Sequence, residues 1–229
     1  MNNSSNRIAG YESYQLLGIQ KWYLSLLQPI VRVLVICHVD PNMITLLSIG
    51  LAIVSAYCLG TGRWITVLVL LISTGLCDMF DGPVAREIER QGKHRSAFGL
   101  RIGAIIDPIA DRVCDICFLG GLHWYAALYH GHVWGFLVFS TMVAYLLSSW
   151  LRTYMGSRGY EVINHKPLTR TLFFVALIAA CLAIGICEYW RPAHVYQLIE
   201  LCIIVILGST LLPLLYRSIR GIIAVWHTQ

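Results

Sequence analysis

Apolar residues run along this chain in stretches of about twenty, joined by short polar segments. Such runs are too long for strands and too evenly apolar for one-sided surface helices. Roughly twenty helical residues cross a hydrocarbon core about 30 Å thick. The pattern predicts six spans: Pro41–Leu59, Trp64–Val84, Ile102–Leu122, Val133–Tyr154, Leu168–Ile186 and Val195–Leu215. The third carries acids. No internal repeat or long linker stands out, and the joints 60–63 and 187–194 are too short for an external domain, so residues 41–229 read as one bundle.

Residues 1–40 read differently. Positions 1–10 are polar and are expected to be a disordered tail. From Tyr11 to Ile36, apolar residues such as Leu16, Ile19, Trp22, Tyr23, Leu26 and Leu27 recur near helical spacing, interrupted by Gln20, Lys21 and Gln28. Pro29 is expected to split the stretch, which predicts an amphipathic helix lying along the membrane interface rather than a further span. The first forty residues lack a basic region, short apolar core and small-residue cleavage site in succession, so no cleaved signal peptide is expected.

Composition supports the membrane reading. Hydrophobic residues make up 57% and charged residues 13%, with a mean hydropathy of +0.66, whereas a soluble domain carries roughly a quarter charged residues. The fold class is all-α integral membrane, with six transmembrane helices and an N-terminal interfacial helix; disordered, collagen-like and nucleic-acid-binding classes drop out. The net charge of +5 follows from topology. Of the seventeen Lys and Arg, all but Arg63 and Arg191 lie at or near one face of the bundle, which the positive-inside rule places in the cytoplasm with both termini. The lipid bilayer, with its anionic headgroups, is the expected partner of those charges, and no nucleic acid is. The eight cysteines are scattered through apolar segments and read as small buried hydrophobes, including the Cys114-x-x-Cys117 pair.

Chemistry concentrates at two segments. The second span ends with Asp78 and Asp81, three apart, and the third contains Asp107 and Asp111, four apart, so each pair shares a helix face. Two adjoining antiparallel spans joined by a cytoplasmic loop would gather the four carboxylates near the cytoplasmic boundary. Clustered acids at membrane depth repel one another unless a cation sits among them. An oxygen-only set suits a hard divalent ion, magnesium, manganese or calcium, better than zinc. The bland alternative pairs the acids with Arg86, Arg101 and Arg112, but three arginines do not neutralise all of these acids. Gly82 and Gly103 permit close approach, and Pro83 and Pro108 each remove a helical hydrogen bond.

The series Asp78-x-x-Asp81-Gly82-x-x-Ala85-Arg86, followed by Gly103-x-x-x-Asp107-x-x-x-Asp111, resembles the signature of the CDP-alcohol phosphotransferases, membrane enzymes of phospholipid synthesis. Pro41-Asn42-x-x-Thr45 is similar to their entry segment. The sixteen residues between Arg86 and Gly103 exceed the family's usual spacing. The resemblance implies transfer of a phosphatidyl group from CDP-diacylglycerol to a small polar alcohol with release of CMP, in a homodimer. It further implies that Asp78, Asp81 and Asp107 ligate one or two Mg2+ or Mn2+ ions, with Asp111 completing the second site or serving as the base. Gly82, Ala85, Arg86, Asn42 and Thr45 are the implied nucleotide contacts. In a bacterium the location would be the inner membrane.

A second basic group, Arg152, Arg158, Lys166, Arg170, Arg217 and Arg220, lies on the same face. Topology and headgroups account for such charges, but Arg152, Arg158 and Lys166 are also candidates for gripping a phosphate on the acceptor alcohol, such as glycerol 3-phosphate. Asp107-Pro108-x-Ala110-Asp111 looks like the phosphatidylglycerophosphate synthase branch. The external histidines His123, His130 and His132 have no carboxylate nearby in sequence and read as interfacial packing. A divalent-cation transporter and an intramembrane prenyltransferase are the rival classes; the first would need acids along the opposite half of the spans, and the second does not call for Gly82-x-x-Ala85-Arg86.

Overall fold

The computed structural model describes residues 18–91, 97–157, 168–190 and 192–226, and all the regular structure among them is helical. Seven α-helices follow one another: α1 (Gly18–Ile36), α2 (Pro41–Gly60), α3 (Trp64–Arg90), α4 (Ala97–Tyr129), α5 (His132–Ser157), α6 (Leu168–Trp190) and α7 (Val195–Trp226). Four of the six predicted span starts, Pro41, Trp64, Leu168 and Val195, coincide with helix starts. α3, α4 and α7 run on past the expected ends, because the apolar stretch measures the membrane crossing and not the helix, which continues into polar sequence. Within α2, α3, α5, α6 and α7 the apolar stretch is long enough to cross a membrane. The 33-residue α4, with Asp107, Asp111 and Asp115, is not among these five in the described residues.

The packing order differs from the chain order. α2 touches α3 and α4, α4 touches α5, α5 touches α7, α7 touches α6, and α6 returns to α3, so α2 to α7 close a ring. Among the described residues the backbones of α3 and α4 do not approach one another. The expectation that these two acid-bearing helices adjoin is therefore corrected: α2 stands between them. Small residues permit this, for a Cβ at Gly121 of α4 would lie 2.6 Å from the Ala56 carbonyl oxygen of α2. Asp40 caps α2 by accepting a hydrogen bond from the Asn42 N–H at 2.9 Å, and Pro41 opens the first turn where no N–H is needed.

Inside the ring, Phe118, Leu119, Leu122, Phe173, Leu177, Ile184, Ile199 and Ile203 form the core with Leu59, Val67 and Leu71. Large apolar residues such as Leu46, Ile53, Val69, Leu147, Val175 and Leu201 face outward, as a lipid-facing surface requires. Four buried hydroxyls bond within their own helices, Ser48 to Thr45, Thr74 to Leu70, Thr141 to Leu137 and Thr210 to Ile206, so each of the four satisfies its donor without water, whereas the buried Ser55 hydroxyl has no such partner.

α1 continues through Pro29 without a break, contrary to the expected split. Its Leu27, Val31 and Val35, four apart, form one buried stripe against Ile44 of α2 and Val84 of α3, and this packing holds the helix across the missing hydrogen bond. Pro83 and Pro108 likewise lie inside unbroken helices.

Because the α2–α4 contact leaves no room for a side chain at Gly121, Gly121→Ala should cost about 1–3 kcal/mol through overpacking. Thermal unfolding in detergent checks this, and an unchanged midpoint would contradict the close approach.

Candidate active site

The acids gather at one end of the ring on α3 and α4, with residues of α2 and α6 among them. Asp78 and Asp81 stand just past the middle of α3, Asp107 and Asp111 in the first half of α4, Thr45 in the second turn of α2, and Arg170 in the first turn of α6. The Thr45 hydroxyl lies 3.3 Å from Asp107 Oδ1 and 3.5 Å from Asp81 Oδ2, and also bonds back to the Pro41 carbonyl at 3.2 Å. A single buried hydroxyl thus links the two acid-bearing helices, whose backbones do not approach one another.

The other pair of acids is joined by charge. Arg170 Nη1 sits 2.8 Å from Asp111 Oδ1 and 3.5 Å from Asp78 Oδ2. Its Nε faces Asp115 Oδ1 at 3.5 Å, and its guanidinium lies 5.8 Å from the centre of the Phe174 ring. Asp115 is fully buried, one helical turn beyond Asp111. Its Oδ2 accepts a hydrogen bond from the Tyr145 hydroxyl at 2.9 Å and pairs with Arg112 Nη1 at 3.1 Å, while Arg112 also lies 5.5 Å from the Tyr145 ring centre. Exposure rises outward along the acids: Asp115 is buried, Asp81 and Asp111 are half-buried, and Asp78 and Asp107 are exposed. The end is open to ligands on the Asp78 and Asp107 side.

Sequence reasoning missed Arg170 and Asp115 as members of this cluster. Asp115 carried a signal, since it lies four residues after Asp111 and so shares its face. Arg170 carried none, because it is 92 residues from Asp78 and stands in a helix read only for its basic charge. Arg86 makes no ion pair with these acids among the described contacts and is exposed, while the Arg101 side chain lies outside the described residues. Its Nη2 lies 3.9 Å from where a Gly82 Cβ would be, so no packing requires glycine at position 82. Ala85 is half-buried one turn further on, and Asn42 is the first-turn residue whose N–H Asp40 caps. Arg152 lies on the last turns of α5, whereas Arg158 and Lys166 fall outside the described residues.

Among the described residues no three His, Cys, Asp or Glu side chains converge on one point as a ready ion cage. Thr45 and Arg170 stand between the acids instead. The donor set nonetheless suits a hard cation. It is all oxygen, and five carboxylates against the two guanidiniums that pair with them leave an excess of three negative charges.

The model of the CDP-alcohol phosphatidyltransferase family matches residues 38–207, which hold every one of these acids, Thr45 and Arg170. The chain belongs to this family. It is 31% identical over 135 residues to the phosphatidylinositol phosphate synthase of Corynebacterium glutamicum, covering 58% of this chain and 57% of that protein. The chain thus spans under three fifths of that relative's length. Two crystal structures of the Mycobacterium tuberculosis phosphatidylinositol phosphate synthase share the fold at 19% identity. One, with CDP-DAG bound, has a TM-score of 0.60 and covers 80% of this chain and 88% of that one. The other, in complex with manganese and citrate, has a TM-score of 0.58 and covers 86% and 88%.

The opposite end of the ring is aromatic. Trp64 packs edge-on against Tyr125 at 4.8 Å, and Tyr57 lies 6.2 Å from Trp124. His123 Nδ1 is 2.8 Å from the Gly135 carbonyl, in keeping with a packing role. His130 corrects the expectation of histidines without a carboxylate: its Nδ1 is 3.4 Å from Glu200 of α7, a partner seventy residues away that chain proximity does not reveal. No disulfide joins any of the eight cysteines, and Cys58, Cys114 and Cys181 are buried while Cys37 is exposed.

Tyr145→Phe removes a donor from a buried carboxylate and should cost about 1.5–3 kcal/mol of stability. The check is the unfolding midpoint of the purified protein, which should stay unchanged if Tyr145 does not hold Asp115.

Proposed function

We propose that this protein transfers a phosphatidyl group from CDP-diacylglycerol to a phosphorylated polar alcohol and releases CMP. The observation that carries the reading is the joint placement of the family's acids at one open end of the ring, braced by Thr45 from α2 and Arg170 from α6. α4 acts as the sixth span, α1 lies along the interface, and the acid end faces the cytoplasm, as the positive-inside pattern supports.

Asp78, Asp81, Asp107 and Asp111 would hold Mg2+ or Mn2+. When bound, the ion supplies positive charge that binds the diphosphate and offsets charge developing in the displacement. The manganese complex of the structural relative supports that choice. The chain's own residues do the rest. The open space above Gly82 admits the diphosphate close to the backbone, with Ala85, Asn42, Thr45 and Arg86 lining the nucleotide. The acceptor hydroxyl oxygen forms a bond to the phosphatidyl phosphorus, the bond from that phosphorus to the CMP oxygen breaks, and Asp111 takes the hydroxyl proton. Arg152, Arg158 and Lys166 grip the acceptor phosphate. Relatives named for the product phosphatidylinositol phosphate favour inositol phosphate as acceptor, and the segment Asp107-Pro108-x-Ala110-Asp111 favours glycerol 3-phosphate. The family resemblance supports a homodimer.

A cation transporter would need acids along a path through the ring. Beyond the acid end, the acids in the described helices are Glu87 and Glu89 at the end of α3 and Glu188 and Glu200 at the other end, with none between.

Two outcomes test this reading. CMP release from CDP-diacylglycerol should require a divalent cation, and Asp78→Asn, Asp81→Asn or Asp107→Asn should each lower kcat by about 100-fold or more while the protein stays folded; full activity in a chelator would refute it. Replacing Arg152, Arg158 or Lys166 singly with Ala should weaken the apparent affinity for the phosphorylated acceptor by about 10- to 100-fold for at least one of them, leaving that for CDP-diacylglycerol nearly unchanged. Steady-state kinetics with glycerol 3-phosphate and inositol phosphate read both the effect and the preferred acceptor; unchanged acceptor affinity in all three variants would exclude this grip.

A further inference from the structure

Asp115 and Arg170 leave one feature of the site without a partner. Asp115 Oδ1 and Arg170 Nε are both buried and neither makes a hydrogen bond, although they face each other at 3.5 Å. A buried donor and acceptor that stop just short of bonding are uncommon, since closing the gap would satisfy both. The same guanidinium is held away from Asp115 by its other end, where Nη1 contacts Asp111 at 2.8 Å and Asp78 at 3.5 Å. Arginine stays charged in any setting, so it must keep a carboxylate beside it wherever it sits. A guanidinium and a divalent ion on the same carboxylate oxygens repel each other.

We propose that Arg170 is a counter-ion with two positions, resting on Asp78 and Asp111 when those acids hold no cation and retracting onto Asp115 when a divalent ion takes them. The inference rests on the metal reading of the acids given above. Retraction closes the Nε–H to Oδ1 hydrogen bond and so satisfies the two unbonded atoms. Asp115 is fitted to be the second position because it is fully buried and its other oxygen is fixed by Tyr145 and Arg112, which hold it away from the ion. Phe174 gives the guanidinium a ring face beside which to shift. The movement also frees Asp111 Oδ1 from the guanidinium now 2.8 Å away. Asp115 and Arg170 are positioning residues in this scheme.

The test is Mn2+ binding to the full-length protein in lipid nanodiscs without substrate, read from free Mn2+ by electron paramagnetic resonance. Asp115→Asn keeps the side chain's shape but weakens the second position, so Mn2+ should bind about tenfold more weakly or worse. Arg170→Gln removes the competitor and should bind Mn2+ at least as tightly as the wild type. With Arg170→Gln in place, adding Asp115→Asn should change the affinity by less than about twofold, because nothing is left to retract. Wild-type affinity in Asp115→Asn, or an equal loss with Arg170→Gln already present, would overturn the proposal. If Asp115→Asn fails to fold, Arg170→Gln decides alone, and weaker Mn2+ binding by it overturns the proposal. A wild-type protein that binds no Mn2+, or binding untouched by Asp78→Asn, is a separate outcome that refutes the metal reading itself.

Discussion

Five carboxylates cannot share one end of an apolar bundle without positive charge among them, and the architecture follows from meeting that requirement. Arg170 meets part of it by reaching from α6 to Asp78 on α3 and to Asp111 and Asp115 on α4. Those contacts tie three helices at the acid end, where the aliphatic and aromatic core that holds the rest of the ring gives way to charge. Thr45 supplies the neutral counterpart, a hydroxyl between Asp81 and Asp107. The remaining excess of negative charge favours a cation at the acid end, as the proposed function requires, over a purely structural salt-bridge network.

The two ends of the ring divide the labour. At the aromatic end, Trp64, Tyr125, Trp124 and the buried His130 with Glu200 lock the helices where no chemistry is proposed. At the acid end the packing loosens outward from buried Asp115 to exposed Asp78 and Asp107. Firm packing behind and open carboxylates in front would suit the proposed function, in which the site holds its groups in place yet admits a lipid-linked nucleotide and a polar alcohol.

Much of this was legible in the sequence for local reasons. Apolar run length gives the helices, Asp40-Pro41 marks the start of α2 through cap chemistry, and the three- and four-residue spacings put each pair of aspartates on one face. What local spacing cannot carry is the order of helices around the ring. Chain order suggested that α3 and α4 adjoin, whereas α2 lies between them because Gly121 and Ala56 allow its backbone to approach α4. The roles of Arg170 and Glu200 were hidden for the same reason, since each finds its partner across roughly 60 to 90 residues of chain. Pro29 misled in the other direction: the lost hydrogen bond is a local cost, and the Leu27, Val31 and Val35 stripe packed on α2 and α3 offsets it.

If metal and CDP-linked lipid meet at the acid end of the ring, an anomalous-scattering map of the protein crystallised with Mn2+ and CDP-diacylglycerol will show manganese peaks among Asp78, Asp81, Asp107 and Asp111, with the diphosphate over Gly82 and the Arg170 guanidinium drawn back to Asp115. Manganese at the His130 and Glu200 end, or a diphosphate bound away from the aspartates, would contradict it.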